Sequence, residues 1–174
     1  LLSALLEEGH KVIVLKRSTS NLVRINHLMD DIVAYDIDKY PLDDIFAHES
    51  FEAVIHVATS YSREQQNELD IVDTNIVLGI NLLKSASKHG VRIFINTDTF
   101  FNNDNLLARH MQSYTLSKKQ FIEWLKYFSL LGVSVINMKI HHVYGPGDNN
   151  DKFIPWLQTC LINNSGPVKL TSGI

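Results

Sequence analysis

The sequence predicts an α/β protein: a doubly wound, mostly parallel sheet layered between helices, with both chain ends cutting into that pattern. Three observations predict it. Short β-branched apolar runs alternate with longer segments of helical periodicity, the arrangement of parallel strands joined by crossover helices. The strand runs are apolar at consecutive positions rather than alternate ones, so both faces are expected to be buried. Polar residues collect directly after the strands, at Lys16-Arg17-Ser18, Asp36, Ala58-Thr59, Thr97-Asp98-Thr99 and His141-His142. In such sheets ligands lie beyond the carboxyl ends of the strands.

Taken in order, Leu1 to Glu8 reads as the end of a helix closed by Gly9. Lys11 to Leu15 (KVIVL) is a buried strand, and Ser18 to Asn21 a polar turn. Leu22 to Met29 is expected as a short helix and Ile32 to Tyr35 as a second strand ending at Asp36. Pro41 to His48 fits a helix with proline in its first turn and acids following. Ala53 to Val57 (AVIHV) is a third strand. Glu68 to Lys88 reads as one long helix, because Leu69, Val72, Ile76, Ile80 and Leu83 keep a period near 3.6; Gly90 stops it. Val91 to Asn96 (VRIFIN) is a fourth strand and Phe100 to Gln112 a loop. Tyr114 to Leu131 is the next helix, capped by Gly132, and Val133 to Ile140 (VSVINMKI) a fifth strand. Tyr144-Gly145-Pro146-Gly147-Asp148 is a tight turn, Lys152 to Leu161 a helix and Val168 to Leu170 a short strand. The chain opens on Leu1 in mid-helix pattern and stops just after an apolar run, so it reads as a piece of a longer polypeptide.

Ser113-Tyr114-Thr115-Leu116-Ser117-Lys118-Lys119 opens the helix that carries the chemistry. Tyr114 and Lys118, four residues apart, share one helix face, continued by Phe121, Ile122, Leu125 and Phe128. A free tyrosine has a pKa of about 10. A neighbouring ammonium favours the phenolate and is expected to pull that value down, toward the range of a useful general acid–base. The same spacing by itself also describes an ordinary helix face.

The 174 residues make one domain or most of one. A hydrophobic content of 45% and a charged content of 20% are ordinary for a globular protein. A net charge of −3 argues against non-specific nucleic-acid binding, which needs a basic surface. Cys160 is the one cysteine, which excludes an internal disulfide and a cysteine zinc site and suits a reducing compartment. The apolar runs are too short to span a bilayer; no membrane association and a cytoplasmic location are expected. None of the eight histidines pairs at i, i+4 spacing, and adjacent His141 and His142 point to opposite faces, so no metal site is expected. There is no Gly-x-Ser-x-Gly nucleophile elbow.

The stretches GHKVIVLKRSTSN, YDID, AVIHVAT, DTNIVLGINLL, GVRIFINTDT, SYTLSKKQF and VYGPGD, in this order and spacing, resemble the extended short-chain dehydrogenase/reductase superfamily, in its NAD-dependent epimerase/dehydratase family. They cover nearly the whole chain. INTDT, YTLSKKQFIEW and HHVYGPGD are most similar to the CDP-abequose synthase-like nucleotide-sugar 4-keto reductases of bacterial polysaccharide clusters. The resemblance implies a three-layer αβα Rossmann-like domain, truncated at both ends, with residues 148–174 beginning a substrate-binding lobe. The family's glycine-rich pyrophosphate loop would precede Leu1. The piece alone is therefore expected to bind cofactor weakly.

Residue by residue, Tyr114 matches the family's catalytic tyrosine and Lys118 the lysine that tunes it and holds the nicotinamide ribose. Thr99 matches the hydroxyl that orients the substrate oxygen, with Thr97 second if the strand slides by two. Asp36 and Ile37 match the pair that meets adenine. Val57, Ala58 and Thr59 match the bend under the cofactor's ribose and phosphates, and Asn75 the asparagine that braces it. His141 and His142 match positions beside the nicotinamide, although many members have asparagine at the latter. NAD-specific members place an acid after the second strand; this chain has Lys16, then Arg17 and Ser18. Arginine grips a phosphate through paired donors, so NADP(H) is preferred, with NAD(H) as the alternative.

The implied activity is reduction of a 4-keto deoxy sugar nucleotide in surface-polysaccharide (O-antigen) biosynthesis. Epimerisation is the alternative, and a non-catalytic NAD(P)-binding sensor the rival from another class. Dehydration fits less well, because Phe100 and Phe101 stand where the family's dehydratases carry an acid pair. A homodimer through the two long helices is implied.

Overall fold

The structure, a computed structural model, describes residues 1–61, 67–102 and 111–168. Two compact units emerge, Leu1–His141 and His142–Ile174. The first runs α1 (Leu2–Glu7), β1 (Ile13–Lys16), a 3-10 turn (Asn26–Asp31), β2 (Val33–Asp36), α2 (Leu42–His48), β3 (Ala53–His56), α3 (Glu68–Val72), a π-helical turn (Asp73–Val77), α4 (Leu78–Lys88), β4 (Ile93–Thr99), α5 (Gln112–Leu130) and β5 (Ser134–Ile140). Every strand pairing is parallel: β1 with β2, and β3, β4 and β5 in that order. The register puts His56, Asn96 and Asn137 in one row and Thr99 beside Ile140.

Three helices hand the chain to strands through the same glycine device. Gly9, Gly90 and Gly132 have φ of 81°, 72° and 96°. The next residue in each case turns its N–H back onto the helix: His10 to the Leu5 carbonyl, Val91 to Ala86 and Val133 to Phe128. This is the left-handed helix stop that glycine adopts without a Cβ penalty. Val91 and Val133, fixed there, fall into the core with Phe46, Leu82, Leu83, Ala86, Phe94, Phe121, Leu125 and Phe128. The core lies between α4 and α5 and the β-face carrying Val54, Phe94 and Val135.

The other face of β3–β4–β5 is open among the described residues: Ile93, Val57, Ile136 and Met138 are exposed. Burial of both faces, expected from the consecutive apolar strand residues, holds for one face only, since the helices packed on these strands lie on the Phe94 side.

The long helix is not one regular helix. Its middle turn is π-helical, which inserts an extra residue and shifts the phase. Leu69 and Val72, expected on the buried stripe, are exposed, and Ile71 is buried in their place. The shift buries Asn75 and Ile76 together and brings Gly79 against α5, where a Cβ would strike the Phe121 ring and come 3.2 Å from His56 Nε2. Leu22 to Met29, expected as a helix, is a run of turns followed by the 3-10 segment. The Asn21 side chain accepts from the Val23 N–H, a local bond that competes with helix.

In the second unit, Asp148 N–H reaches the Gly145 carbonyl across Pro146 and a left-handed Gly147, the chemistry of a type II turn. Helix α6 spans Phe153–Ile162. All but Val168 of the strand expected at Val168 to Leu170, and most of the loop expected at Phe100 to Gln112, lie outside the described residues.

Candidate active site

Helix α5 points one stripe inward: Tyr114, Lys118, Phe121, Leu125 and Phe128 are all buried. The three hydrophobic members anchor it, and the two polar members are thereby delivered to the carboxyl end of β4. There the Tyr114 hydroxyl meets Thr99, with Thr59 as a second hydrogen-bond partner. The Thr97 hydroxyl donates instead to the His56 carbonyl, at 3.1 Å. The geometry therefore pairs the tyrosine with Thr99 rather than Thr97. The Tyr61 ring covers Tyr114, centroids 4.9 Å apart.

The Tyr114 pKa is raised, chiefly by burial, with Tyr61 and Asp98 adding to it and the Thr99 and Thr59 hydrogen bonds opposing. That reverses the lowering expected from Lys118. The ammonium lies 6.0 Å over the Tyr114 ring centroid and donates to the Thr97 carbonyl at 2.9 Å, and the burial of the phenol outweighs it. Burial lowers the Lys118 pKa and Asp98 opposes the change.

Two polar networks hold this cluster. Asn75, 1% exposed, accepts from the Ser60 N–H (2.7 Å) and the Thr59 hydroxyl (3.3 Å), and donates to the Ser60 carbonyl (3.0 Å) and Ser117 Oγ (2.9 Å). Ser117 Oγ donates in turn to the Tyr114 carbonyl at 2.7 Å. The π-turn thus ties the bend after β3 to the first turn of α5. Below Thr99, the buried Asp98 carboxylate accepts from the Thr99 N–H (2.8 Å), from Asn102 Nδ2 (3.1 and 3.2 Å) and from Asn137 Nδ2 (3.1 Å). Asn96 Nδ2 donates to Asn137 Oδ1 at 2.7 Å.

A second cluster lies at the ends of β1 and β2. Asp36, buried, accepts from Ser18 Oγ (2.7 Å), Lys16 Nζ (3.4 Å) and the Asp38 N–H (3.1 Å). The Ser18 hydrogen bond leads in holding its carboxyl below the usual range. Arg17 Nε donates to Asp38 Oδ1 at 3.2 Å and the Ser18 N–H to Asp38 Oδ2 at 2.9 Å. Ile37 follows with its N–H on the Lys16 carbonyl.

The structure thus brings Thr99, Tyr114, Lys118, Thr59 and Asn75 together, and separately Arg17, Ser18, Asp36 and Ile37. Val57 is exposed and Ala58 half-buried beyond β3. His141 stacks on Phe100, centroids 5.8 Å apart. Sequence reasoning missed Asp38, Tyr61, Asp98 and Ser117. Asp98 was legible as a carboxylate flanked by Thr97 and Thr99 in a strand otherwise buried. Among the described residues no group of three or more metal-ligating side chains occurs, and no helix is long and apolar enough to cross a membrane.

The His56 side chain, 2% exposed, packs against Phe94 and Phe121 with Nε2 lacking any hydrogen bond. Burial, helped by the Lys118 charge, depresses its pKa from 6.5 to about 4. The unfolded chain takes a proton below about 6.5 that the folded chain refuses until about 4. His56 therefore leaves stability intact above the unfolded pKa and removes it as pH falls through that window. Denaturant titrations should lose about 2–3 kcal/mol through this group between about pH 7 and about pH 4.5. His56→Leu should flatten that part of the slope; an unchanged slope contradicts it.

Parallel strands, crossover helices and polar clusters at the strands' carboxyl ends define a Rossmann-like α/β domain. The chain belongs to the NAD dependent epimerase/dehydratase family, whose profile matches residues 1–173. It is 32% identical to the CDP-abequose synthase of Salmonella typhimurium (strain LT2) over 179 residues, which is 99% of this chain and 58% of that protein. It is 32% identical to the CDP-abequose synthase of Salmonella muenchen over 166 residues, 94% of this chain and 55% of that one. The chain thus spans somewhat over half the length of these relatives. Among solved structures, a UDP-N-acetylglucosamine 4-epimerase from Methanobrevibacter ruminantium superposes on 99% of this chain and 61% of its own, with a TM-score of 0.78 and 18% identity. The UDP-glucose 4-epimerase of Thermotoga maritima covers 87% of this chain and 54% of its own, with a TM-score of 0.73 and 23% identity.

Proposed function

We propose that the protein to which this chain belongs is a nicotinamide-dependent nucleotide-sugar oxidoreductase whose reaction is the reduction of a 4-keto deoxy sugar. The observation that carries the reading is the meeting of the Thr99 and Tyr114 hydroxyls, with Lys118 over the tyrosine ring, at the carboxyl end of β4. The two CDP-abequose synthases support a nucleotide-sugar substrate; the preference for reduction comes from the resemblance of INTDT, YTLSKKQFIEW and HHVYGPGD to the nucleotide-sugar 4-keto reductases.

The chain's residues suit the cofactor at two places. Lys118 is a buried ammonium with three donors, one engaged by the Thr97 carbonyl; it would hold the nicotinamide ribose hydroxyls. Asp36 and Ile37, with Val57, Ala58 and Thr59, would line the adenosine and phosphate path, and His141 the nicotinamide side. The cofactor when bound supplies the hydride. Tyr114, kept protonated by its raised pKa, is suited to donating a proton to the sugar oxygen as the carbonyl is reduced. Thr99 orients that oxygen by hydrogen bonding, and Lys118 lends positive charge near the phenol as the proton leaves.

Arg17, the residue that argues for NADP(H), is held by Asp38, and the cofactor of this reading is NAD(H) or NADP(H). Exposed apolar side chains on α3 to α5, among them Leu69, Val77, Leu116, Trp124 and Tyr127, support a homodimer through these helices. A cytoplasmic site and no nucleic-acid partner belong to the same reading.

The test is the full-length protein with reduced nicotinamide cofactor and a nucleotide-linked 4-keto-6-deoxy sugar. The expected result is stoichiometric loss of reduced-nicotinamide absorbance with a 4-hydroxy product. Interconversion of 4-epimers without net oxidation of cofactor would favour the epimerase. Binding without turnover of any such sugar would favour a sensor.

A further inference from the structure

The bend after β3 carries a tyrosine that the fold holds firmly although much of it is exposed. Asn75 grips the preceding residue by both backbone groups, accepting from the Ser60 N–H (2.7 Å) and donating to the Ser60 carbonyl (3.0 Å). The same amide donates to Ser117 Oγ (2.9 Å), which donates in turn to the Tyr114 carbonyl (2.7 Å). Ser60 is 8% exposed, yet Tyr61, next in the chain, is 40% exposed. The Tyr61 ring lies over the Tyr114 ring, centroids 4.9 Å apart and planes 37° from parallel. Asn75 therefore fixes both sides of that contact at once, the bend that carries Tyr61 and the first turn of α5 that carries Tyr114. A side chain laid down in this way gives up rotamer freedom, and the part of its ring left in water gains nothing from burial in return.

Resting on the reading that Tyr114 protonates the oxygen of a nucleotide-linked 4-keto sugar, we propose that Tyr61 positions the substrate: the uncovered part of its ring is a platform for an apolar C–H face of the pyranose. The separation of the two tyrosine rings, 4.9 Å, is about the width of a pyranose. A sugar whose C4 oxygen meets the Thr99 and Tyr114 hydroxyls therefore has its ring carbons within reach of Tyr61. The C–H bonds on one face of a hexose are weakly positive, which suits the negative face of an aromatic ring. Hydrogen bonds at the C4 oxygen alone leave the sugar free to pivot about that atom. A flat surface beside them removes the pivot and holds C4 in one orientation. The phenol oxygen of Tyr61 has no part in this; the ring face acts.

Tyr61→Phe and Tyr61→Leu in the full-length protein separate the ring face from everything else the residue does. Both lose the phenol oxygen and both keep apolar bulk over Tyr114, so any effect on the tuning or burial of Tyr114 is common to the two. In steady-state reduction of the nucleotide-linked 4-keto-6-deoxy sugar, Tyr61→Phe should stay within about twofold of the unaltered protein in KM. Tyr61→Leu should raise KM about five- to tenfold, the worth of one aromatic contact. Calorimetric affinity for the nicotinamide cofactor should stay within about twofold in both, and the alkaline limbs of their pH–rate profiles should coincide. Tyr61→Met, also without a ring, repeats the comparison should Tyr61→Leu not fold. Equal KM values for the ring and ringless variants overturn the proposal. So does a ringless variant whose loss lies in kcat with a displaced alkaline limb, which would make Tyr61 a support for Tyr114. In those cases the sugar is still reduced and the oxidoreductase reading stands. No reduction of the sugar by the unaltered protein overturns both.

Discussion

Tyr114→Phe should lower turnover of the sugar nucleotide by about a hundredfold to ten-thousandfold, the range of a positioned proton donor, and leave cofactor affinity within about twofold. The substitution removes one oxygen. Its partners in the folded chain are the Thr99 and Thr59 hydroxyls, which keep the Phe101 N–H and Asn75 as partners, so little stability should be lost. The ring stays under Tyr61 and beneath the Lys118 ammonium. Turnover would thus fall because no proton reaches the sugar oxygen, not because the site collapses. Steady-state kinetics with calorimetric binding on the same preparation separate the two. Turnover that survives the change would remove Tyr114 from the chemistry, and an equal fall in cofactor affinity would make it a binding residue.

The raised Tyr114 pKa fits the proton-donor role proposed for it. Burial outweighs the hydrogen bonds that favour the phenolate, so the group is protonated at neutral pH and suited to giving a proton, as reduction requires. The oxidative direction needs the phenolate, which Lys118 would have to favour from over the ring face.

Much of this was legible in the sequence because it follows from periodicity. The stripe Tyr114, Lys118, Phe121, Leu125, Phe128 repeats at three and four residues, and a helix in a parallel α/β domain has one place to bury it. The glycines at 9, 90 and 132 mark helix ends because only a left-handed backbone makes that stop. What was not legible depends on contacts remote in sequence. The π-turn cannot be read from apolar spacing, since it breaks that spacing; Leu69 and Val72 misled for this reason. The Tyr114 pKa was read from its helical neighbour, but burial against Tyr61 and the charge of Asp98 decide it. Arg17 read as a phosphate ligand because Asp38, 21 residues away, meets it only once β1 and β2 pair.

Asp98→Asn tests the support beneath the site and should be the costliest single-atom change in the domain. The buried carboxylate accepts from the Thr99 N–H, Asn102 and Asn137. An amide offers one acceptor oxygen and turns an NH₂ toward groups that are themselves donors. One or two buried N–H groups lose their acceptor, at about 1–3 kcal/mol each, so chemical denaturation should show a loss of about 2–4 kcal/mol. The charge matters separately. Asp98 raises the pKa of both Lys118 and Tyr114, and both act in their protonated forms, so removing it should slide the alkaline limb of the pH–rate profile toward lower pH, by up to about one unit. A merely structural carboxylate would lower stability and rate with the profile in place. A profile that shifts while Thr99→Ser, which keeps the hydroxyl, leaves it still would place the effect on the Asp98 charge. A profile that does not move would reduce Asp98 to a scaffold for the Thr99 N–H.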